Sequence, residues 1–160
     1  MGLESETQLR DLFSRLKPGG RLLGIDLGTK TLGLALSDPA LRIASPLTTL
    51  GRTKLSKDLQ ALEKLIESNS VGGIVLGLPI NMDGTEGPRA QSTRAFYVQL
   101  RKNFPMPVAL WDERLSTAAV NRTLLAADIS RRRRAQVVDK LAAAYILQGA
   151  LDRMSRFGDN

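Results

Sequence analysis

Residues 22–38, LLGIDLGTKTLGLALSD, constrain the fold more than any other stretch of the chain. Two apolar runs, Leu22–Leu27 and Thr31–Leu36, flank Gly28–Thr29–Lys30. This spacing predicts a β-hairpin with a tight, glycine-containing turn. Asp26 breaks the first run. A carboxylate inside a half-buried strand is unfavourable unless a cation or hydrogen-bond donors compensate it, so Asp26 reads as a metal ligand. An Asp beside a glycine also braces turns, and Asp26 by itself leaves both readings open.

Composition narrows the chemistry. The 160 residues are a single-domain length with room for a packed core. No apolar run approaches the roughly 20 residues of a membrane span, and no basic segment leads into an apolar one at the N-terminus. Neither a membrane role nor a secretory signal is expected, and a cytoplasmic location is. The chain has no cysteine and no histidine. That excludes disulfides, thiol catalysis, Cys/His zinc sites and Ser–His triads. Hydrolysis would then rest on carboxylates, hydroxyls, lysine or arginine, and carboxylates favour Mg²⁺ or Mn²⁺. The net charge of +7 suits a polyanionic partner, although simple solubility charge reaches the same size.

Taken in order, residues 1–20 read as an added amphipathic helix. Ser5 and Gln8 fit a capping box, Leu9, Leu12, Phe13 and Leu16 share one face, and Pro18–Gly19–Gly20 stops it. Arg42–Leu50 reads as a third strand near a sheet edge, because Pro46 cannot donate to a ladder. Leu55–Ser68 is strongly helical and Val71–Leu78 suits a buried parallel strand. The polar loop Pro79–Pro88 follows, then a helix over 89–103 and a fifth strand, Val108–Trp111. Ser116 opens a helix through about Ala127, Arg131–Arg134 forms a basic loop, and Val137–Met154 is the last helix. Three strands followed by alternating strands and helices predict an α/β fold, a mixed five-stranded sheet with helices on its faces. The expected division is an extension helix over 1–20 and one domain over 21–155.

Four acids stand at informative positions: Asp26, Asp112 and Glu113 at a strand's C-terminal end, and Asp139 early in the final helix. Ligands gather at such strand ends in open α/β sheets. Neighbouring strand residues face opposite sides, so one of Asp112 and Glu113 points into a site there; both also suit the N-terminus of a following helix. Asp139 lines up with Ala142, Ala143, Ile146 and Ala150, a stripe of small residues that lets a helix lie close to a sheet. A salt bridge to the preceding arginines is its other reading. Acids converging from three elements repel one another strongly unless divalent cations neutralise them, and two such ions about 4 Å apart support phosphodiester cleavage.

The segments GIDLGTKTLGLALSD (24–38), GLPINMDGTEGPRA (77–90), WDERLST (111–117) and VVDKLAAAYILQ (137–148) together resemble the YqgF family. These are ribonuclease-H-like proteins related to Holliday-junction resolvases and implicated in maturation of precursor 16S rRNA. The resemblance covers about residues 21–153. It implies a ribonuclease-H-like sheet and a metal-dependent nuclease acting on the 5' end of precursor 16S rRNA in ribosome biogenesis. It puts the catalytic acids at Asp26, Glu113 and Asp139, with Asp112 as a further metal ligand.

Around these acids, Lys30 is placed to bind a phosphate beside Asp26, and Arg114 to orient the acids or clamp phosphate. Asn81, in a loop that rims the same strand ends, contacts substrate or bonds its own turn. Arg131, Arg132, Arg133 and Arg134 are candidates for backbone contact, in a loop that orders on binding. Few aromatics are available for stacking, which favours recognition of backbone and shape. The expected partner is structured RNA or branched DNA, with ribosomal particles as a further possibility. Three alternatives stand beside the ribonuclease reading. A junction endonuclease shares its acids and charge. A nucleotide-binding protein is suggested by IDLGTK, which resembles the phosphate hairpin of actin-like ATPases, although 160 residues allow one lobe and not two. A noncatalytic nucleic-acid-binding module would lack an acid, and none is missing.

Overall fold

A computed structural model describes residues 2–116 and 131–157, with the side chains of 131–137 left aside. The expected helix over 116–127 lies outside the described residues. Strands β1 (Arg21–Leu27) and β2 (Thr31–Ser37) form the hairpin, and Gly28 N–H donates to Thr31 O at 2.8 Å across its turn. β3 (Ala44–Gly51) pairs antiparallel with β2 at one edge of the sheet. The ladder slips between Leu34 and Ala35 where Pro46 enters it, as expected of a residue without an N–H. β3 starts two residues later than the sequence suggests. Asp38 accepts from the amides of Arg42 (2.7 Å) and Ile43 (2.9 Å) and folds that segment into a turn.

After α2 (Leu55–Ser68), β4 (Val71–Leu78) pairs parallel with β1, and after α3 (Pro88–Asn103), β5 (Val108–Asp112) pairs parallel with β4. The order β3-β2-β1-β4-β5 is thus a mixed five-stranded sheet. Alternation along the strands divides two cores. Leu23, Ile25, Leu34, Ile74, Leu76 and Leu110 pack against Leu62 and Ile66 of α2 and Phe96 and Leu100 of α3. On the other face Leu22, Ala35, Val75, Ala109 and Trp111 meet α4 (Arg131–Met154) and α1 (Leu3–Arg15).

Arg131–Arg134 are helical and are not the expected loop. Arginine is a good helix former, and the run joins a segment whose inner stripe is anchored by Ala142, Ala143, Ile146 and Ala150, all fully buried.

α1 solves a problem that the sheet creates. β5 is an edge strand, and its outward amides need partners. Ser5 Oγ accepts from Asp112 N–H at 2.8 Å, and Gln8 Oε1 accepts from Leu110 N–H at 2.7 Å. The two side chains sit one helical turn apart, and the longer glutamine arm makes up the difference from the roughly 6.6 Å spacing of alternate strand residues. The predicted capping box is therefore absent: Gly2 is the N-cap, without a side-chain bond, because Ser5 and Gln8 are committed to β5. Leu9 and Leu12 are fully buried, whereas Phe13 is partly exposed and meets Phe157 edge-on at 5.7 Å. Glu6 pairs with Arg153 at 2.6 Å and Glu4 with Arg94 at 2.9 Å, fastening the first turn of the helix on two sides.

Two outcomes are expected. Ser5→Ala strands the buried Asp112 amide and lowers unfolding free energy by about 1–3 kcal/mol, read from the urea midpoint. The Arg153 guanidinium, with Arg10 beside it, holds the Glu6 carboxyl below the ordinary glutamate value. A depressed carboxylate stabilises fully above its unfolded-state value and loses that contribution as pH falls through the folded one. Glu6→Gln should therefore flatten the acid limb of the stability profile measured from about pH 6 down to about pH 3.

Candidate active site

The hairpin register places Asp26 directly opposite Gly33. Partners in an antiparallel pair point to the same side of the sheet, and for this pair that side faces α4. Gly33 leaves the space above it empty, and α4 uses it: a Cβ at Gly33 would stand 2.9 Å from the Cβ of Asp139 and would collide with its backbone. Gly24 and Gly77 admit the same helix further along, where added Cβ atoms would stand 2.8 Å from Leu147 and 2.5 Å from Ile146. Close approach thus carries Asp139 onto the hairpin, beside Asp26. Its Oδ2 accepts a hydrogen bond from the Thr31 hydroxyl, and a Cβ on Gly28 would stand 3.4 Å from that oxygen.

Asp26 is buried, with only 2% of its surface exposed. Arg89, in the first turn of α3, brings Nη2 within 3.9 Å of Asp26 Oδ1 and donates from the same nitrogen to Leu27 O at 3.3 Å. This cation offsets part of the cost of burying the carboxylate.

Asp112 and Glu113 end β5, both buried. Asp112 caps the short 3₁₀ turn Glu113–Leu115 by accepting from Arg114 N–H at 2.9 Å. It also accepts from Arg114 Nε at 3.1 Å and Nη2 at 2.7 Å. Its acceptors are directed to one arginine, so Asp112 braces the turn and is not gathered with Asp26 as the expected ligand. Arg114 is equally committed, and bonding to Asp112 raises its pKa. Its Nε and Nη2 are both engaged with Asp112. Glu113 lies two residues beyond Trp111, which faces α4, and β5 lies two strand spacings, roughly 10 Å, from β1. Among the described residues no three carboxylates stand close enough together to hold a metal ion.

Asn81 shapes its own loop, donating from Nδ2 to Thr85 Oγ1 at 3.0 Å and exchanging backbone bonds with Gly84 and Thr85. Asp83 completes the turn by accepting from Thr85 N–H at 2.9 Å and from its hydroxyl at 2.6 Å, which lowers the Asp83 pKa. Lys30 is exposed in the hairpin turn at the Asp26 end of β1. Arg131–Arg134 precede Asp139 on the same helix.

Sequence reasoning missed three residues at this end of the sheet: Thr31, Arg52 and Arg89. Arg52 donates from Nη1 to Gly28 O at 2.7 Å. Arg89 was in view as the arginine of GLPINMDGTEGPRA, but its reach to Asp26 depends on how α3 starts. Arg52 arrives only because Gly51 pairs with Thr31.

A family model described as RuvX, Holliday junction resolvase, matches residues 20–153. The chain belongs to the RuvX family. A relative from Paramagnetospirillum magneticum, named "Putative pre-16S rRNA nuclease", is 58% identical over 92% of this chain and 95% of its own length. One of the same name from Methylocella silvestris is 57% identical over 93% of this chain and 92% of its own. Both agree with the resemblance carried by the four motifs. Among solved structures, T. thermophilus RuvC in complex with a Holliday junction substrate aligns with a TM-score of 0.51 over 85% of this chain and 96% of that one. At 14% identity it shows the fold alone, a ribonuclease-H-like sheet, and nothing of substrate.

The contact at Gly33 is open to test. Gly33→Ala has no room for its methyl group without moving the backbone of α4, so it should destabilise the fold by about 1–3 kcal/mol in urea unfolding. Gly19→Ala, with open space around it but a φ of 82°, should cost only about 1 kcal/mol of backbone strain.

Proposed function

We propose that the chain is a metal-dependent ribonuclease that trims the 5' end of precursor 16S rRNA, with Asp26, Glu113 and Asp139 as its catalytic acids. The family and its named relatives make it a phosphodiester-cleaving hydrolase. The observation that carries the site assignment is the meeting of Asp26 and Asp139 across Gly33, two acids 113 positions apart in sequence brought to one end of one face.

The donor set fits Mg²⁺ or Mn²⁺, since only hard carboxylate oxygens are offered and neither imidazole nor thiolate exists in the chain. Asp26 sits on a central strand and Asp139 on a helix packed through small-residue contacts, while Glu113 stands buried just past the end of β5. Asp26, Glu113 and Asp139 would hold the cation, which when bound would supply water activation and charge stabilisation at the phosphodiester. Arg89 limits the repulsion at Asp26, and Thr31 holds Asp139 against the hairpin. Arg131–Arg134 and Lys30 supply positive charge for the RNA backbone. A ribosomal RNA substrate places the protein in the cytoplasm.

The test is incubation of the purified protein with precursor 16S RNA and with a synthetic four-way DNA junction, with Mg²⁺ or Mn²⁺ or with EDTA. The RNA should lose 5' nucleotides only when metal is present, and the junction should stay whole. Asp26→Asn, Glu113→Gln and Asp139→Asn should each slow cleavage at least about a hundredfold while leaving RNA affinity within about threefold. RNA left uncut with both metals overturns the proposal, and a cut junction beside uncut RNA moves the substrate to branched DNA.

A further inference from the structure

Beside the acids, on the far side of the hairpin turn, lies a pocket of about 280 Å³ lined by Gly28, Thr29, Arg52, Pro88, Arg89 and Ser92. Two guanidinium groups reach it from different elements. Arg52 follows β3 and donates from Nη1 to Gly28 O at 2.7 Å and to Thr29 O at 3.4 Å. Arg89 comes from α3 and donates from Nη2 to Leu27 O at 3.3 Å. Each arginine is thus pinned to the turn backbone through one terminal nitrogen. The remaining N–H groups of both have no protein partner among the described residues. Arg89 is about half exposed, and Arg52 lies at the surface.

We propose that this pocket seats one phosphate of the substrate's backbone, next to the phosphodiester presented to Asp26. The inference rests on the nuclease reading and adds to it the residues that hold the strand. Anchored guanidinium groups are suited to a tetrahedral oxyanion, because their planar forks stay charged at every relevant pH and lose little freedom on binding. The charge balance favours an anion: two arginines face the pocket, against the one carboxylate of Asp26, 3.9 Å from Arg89 Nη2. The volume equals that of about nine waters, enough for a phosphate and part of its sugar. Nothing in the lining offers an aromatic face or a pattern of donors for a base, so the contact reads backbone and not sequence. Arg89 has a place in both sites. Its terminal nitrogen faces Asp26 while the rest of its fork faces the pocket, which fixes the register of the strand relative to the acids.

The experiment measures RNA binding by full-length protein carrying Glu113→Gln, in EDTA, using a hairpin from the 5' region of precursor 16S RNA. Dissociation constants are followed by fluorescence anisotropy from about 50 to about 200 mM salt. Adding Arg52→Gln and Arg89→Gln together should weaken binding about tenfold or more and lower the slope of log K against log salt by about 0.7–0.9, the loss of one phosphate. Ser92→Glu, which leaves both arginine–turn bonds in place, should weaken binding in the same direction by putting a carboxylate in the pocket. Unfolding midpoints equal to the parent's certify that each variant is folded. Unchanged affinity and slope in the double variant overturns the proposal, as does full affinity in Ser92→Glu. A slope change of about two overturns the single shared phosphate. Wild-type protein that binds this RNA but leaves it uncut with Mg²⁺ and Mn²⁺ sinks the nuclease reading alone, because the pocket is read by binding.

Discussion

The candidate site depends on the contact between α4 and the bare backbone of β1 and β2. A helix normally stands about 10 Å from the sheet it covers, held off by side chains on both surfaces. Here Gly24 and Gly33 present none, and α4 answers with Ala143 and the backbone of Asp139. A carboxylate on so short an arm reaches the sheet only if its helix comes this close. The buried alanines Ala142, Ala143 and Ala150 serve the same end. Packing and chemistry are therefore one requirement: the residues that let the helix sit down are those that bring the second acid to the first.

Bringing acids together in a protein interior raises an electrostatic cost that the surroundings must offset. The fold does so unevenly. Asp112 is neutralised by Arg114 in a bidentate bridge and becomes part of the scaffold. Arg89 stands 3.9 Å from Asp26, and the Thr31 hydroxyl donates to Asp139. Asp26 and Asp139 meet between α4 and the C-terminal end of β1, on the side of the sheet away from the Asp112–Arg114 bridge. Arg52, Arg89 and Lys30 stand at the same end of the sheet, and positive charge there suits a polyanionic partner.

Much of this was legible in the sequence because it is local. The apolar runs around Gly28 gave the hairpin, the 3.6-residue pattern gave α2 to the residue, and the small stripe below Asp139 announced a helix pressed against a sheet. What could not be read is what depends on register and crossing. The exchange between Asp112 and Arg114 needs the 3₁₀ turn, which no periodicity signals. Ser5 and Gln8 have the spacing of a capping box, yet that spacing also matches alternate amides of an edge strand, and the unpaired strand won because its amides are buried. Arg131–Arg134 looked like a loop because a charge run lacks an apolar face, but the helix it joins supplies the anchoring further down.

α1 shows how a segment outside the family match can still bear on the site. The match begins at residue 20, after this helix ends at Arg15. Yet Ser5 holds the amide of Asp112, the carboxylate of Asp112 holds Arg114, and the bridge between them sets the turn that starts with Glu113. Glu113 is the acid farthest across the sheet from Asp26, so its reach depends most on where its backbone is fixed. An edge strand without a neighbour frays first at its end, and that end is where Glu113 stands. The helix therefore does more than cover apolar surface: by pairing amides near the end of β5 it fixes the strand end at which Glu113 stands.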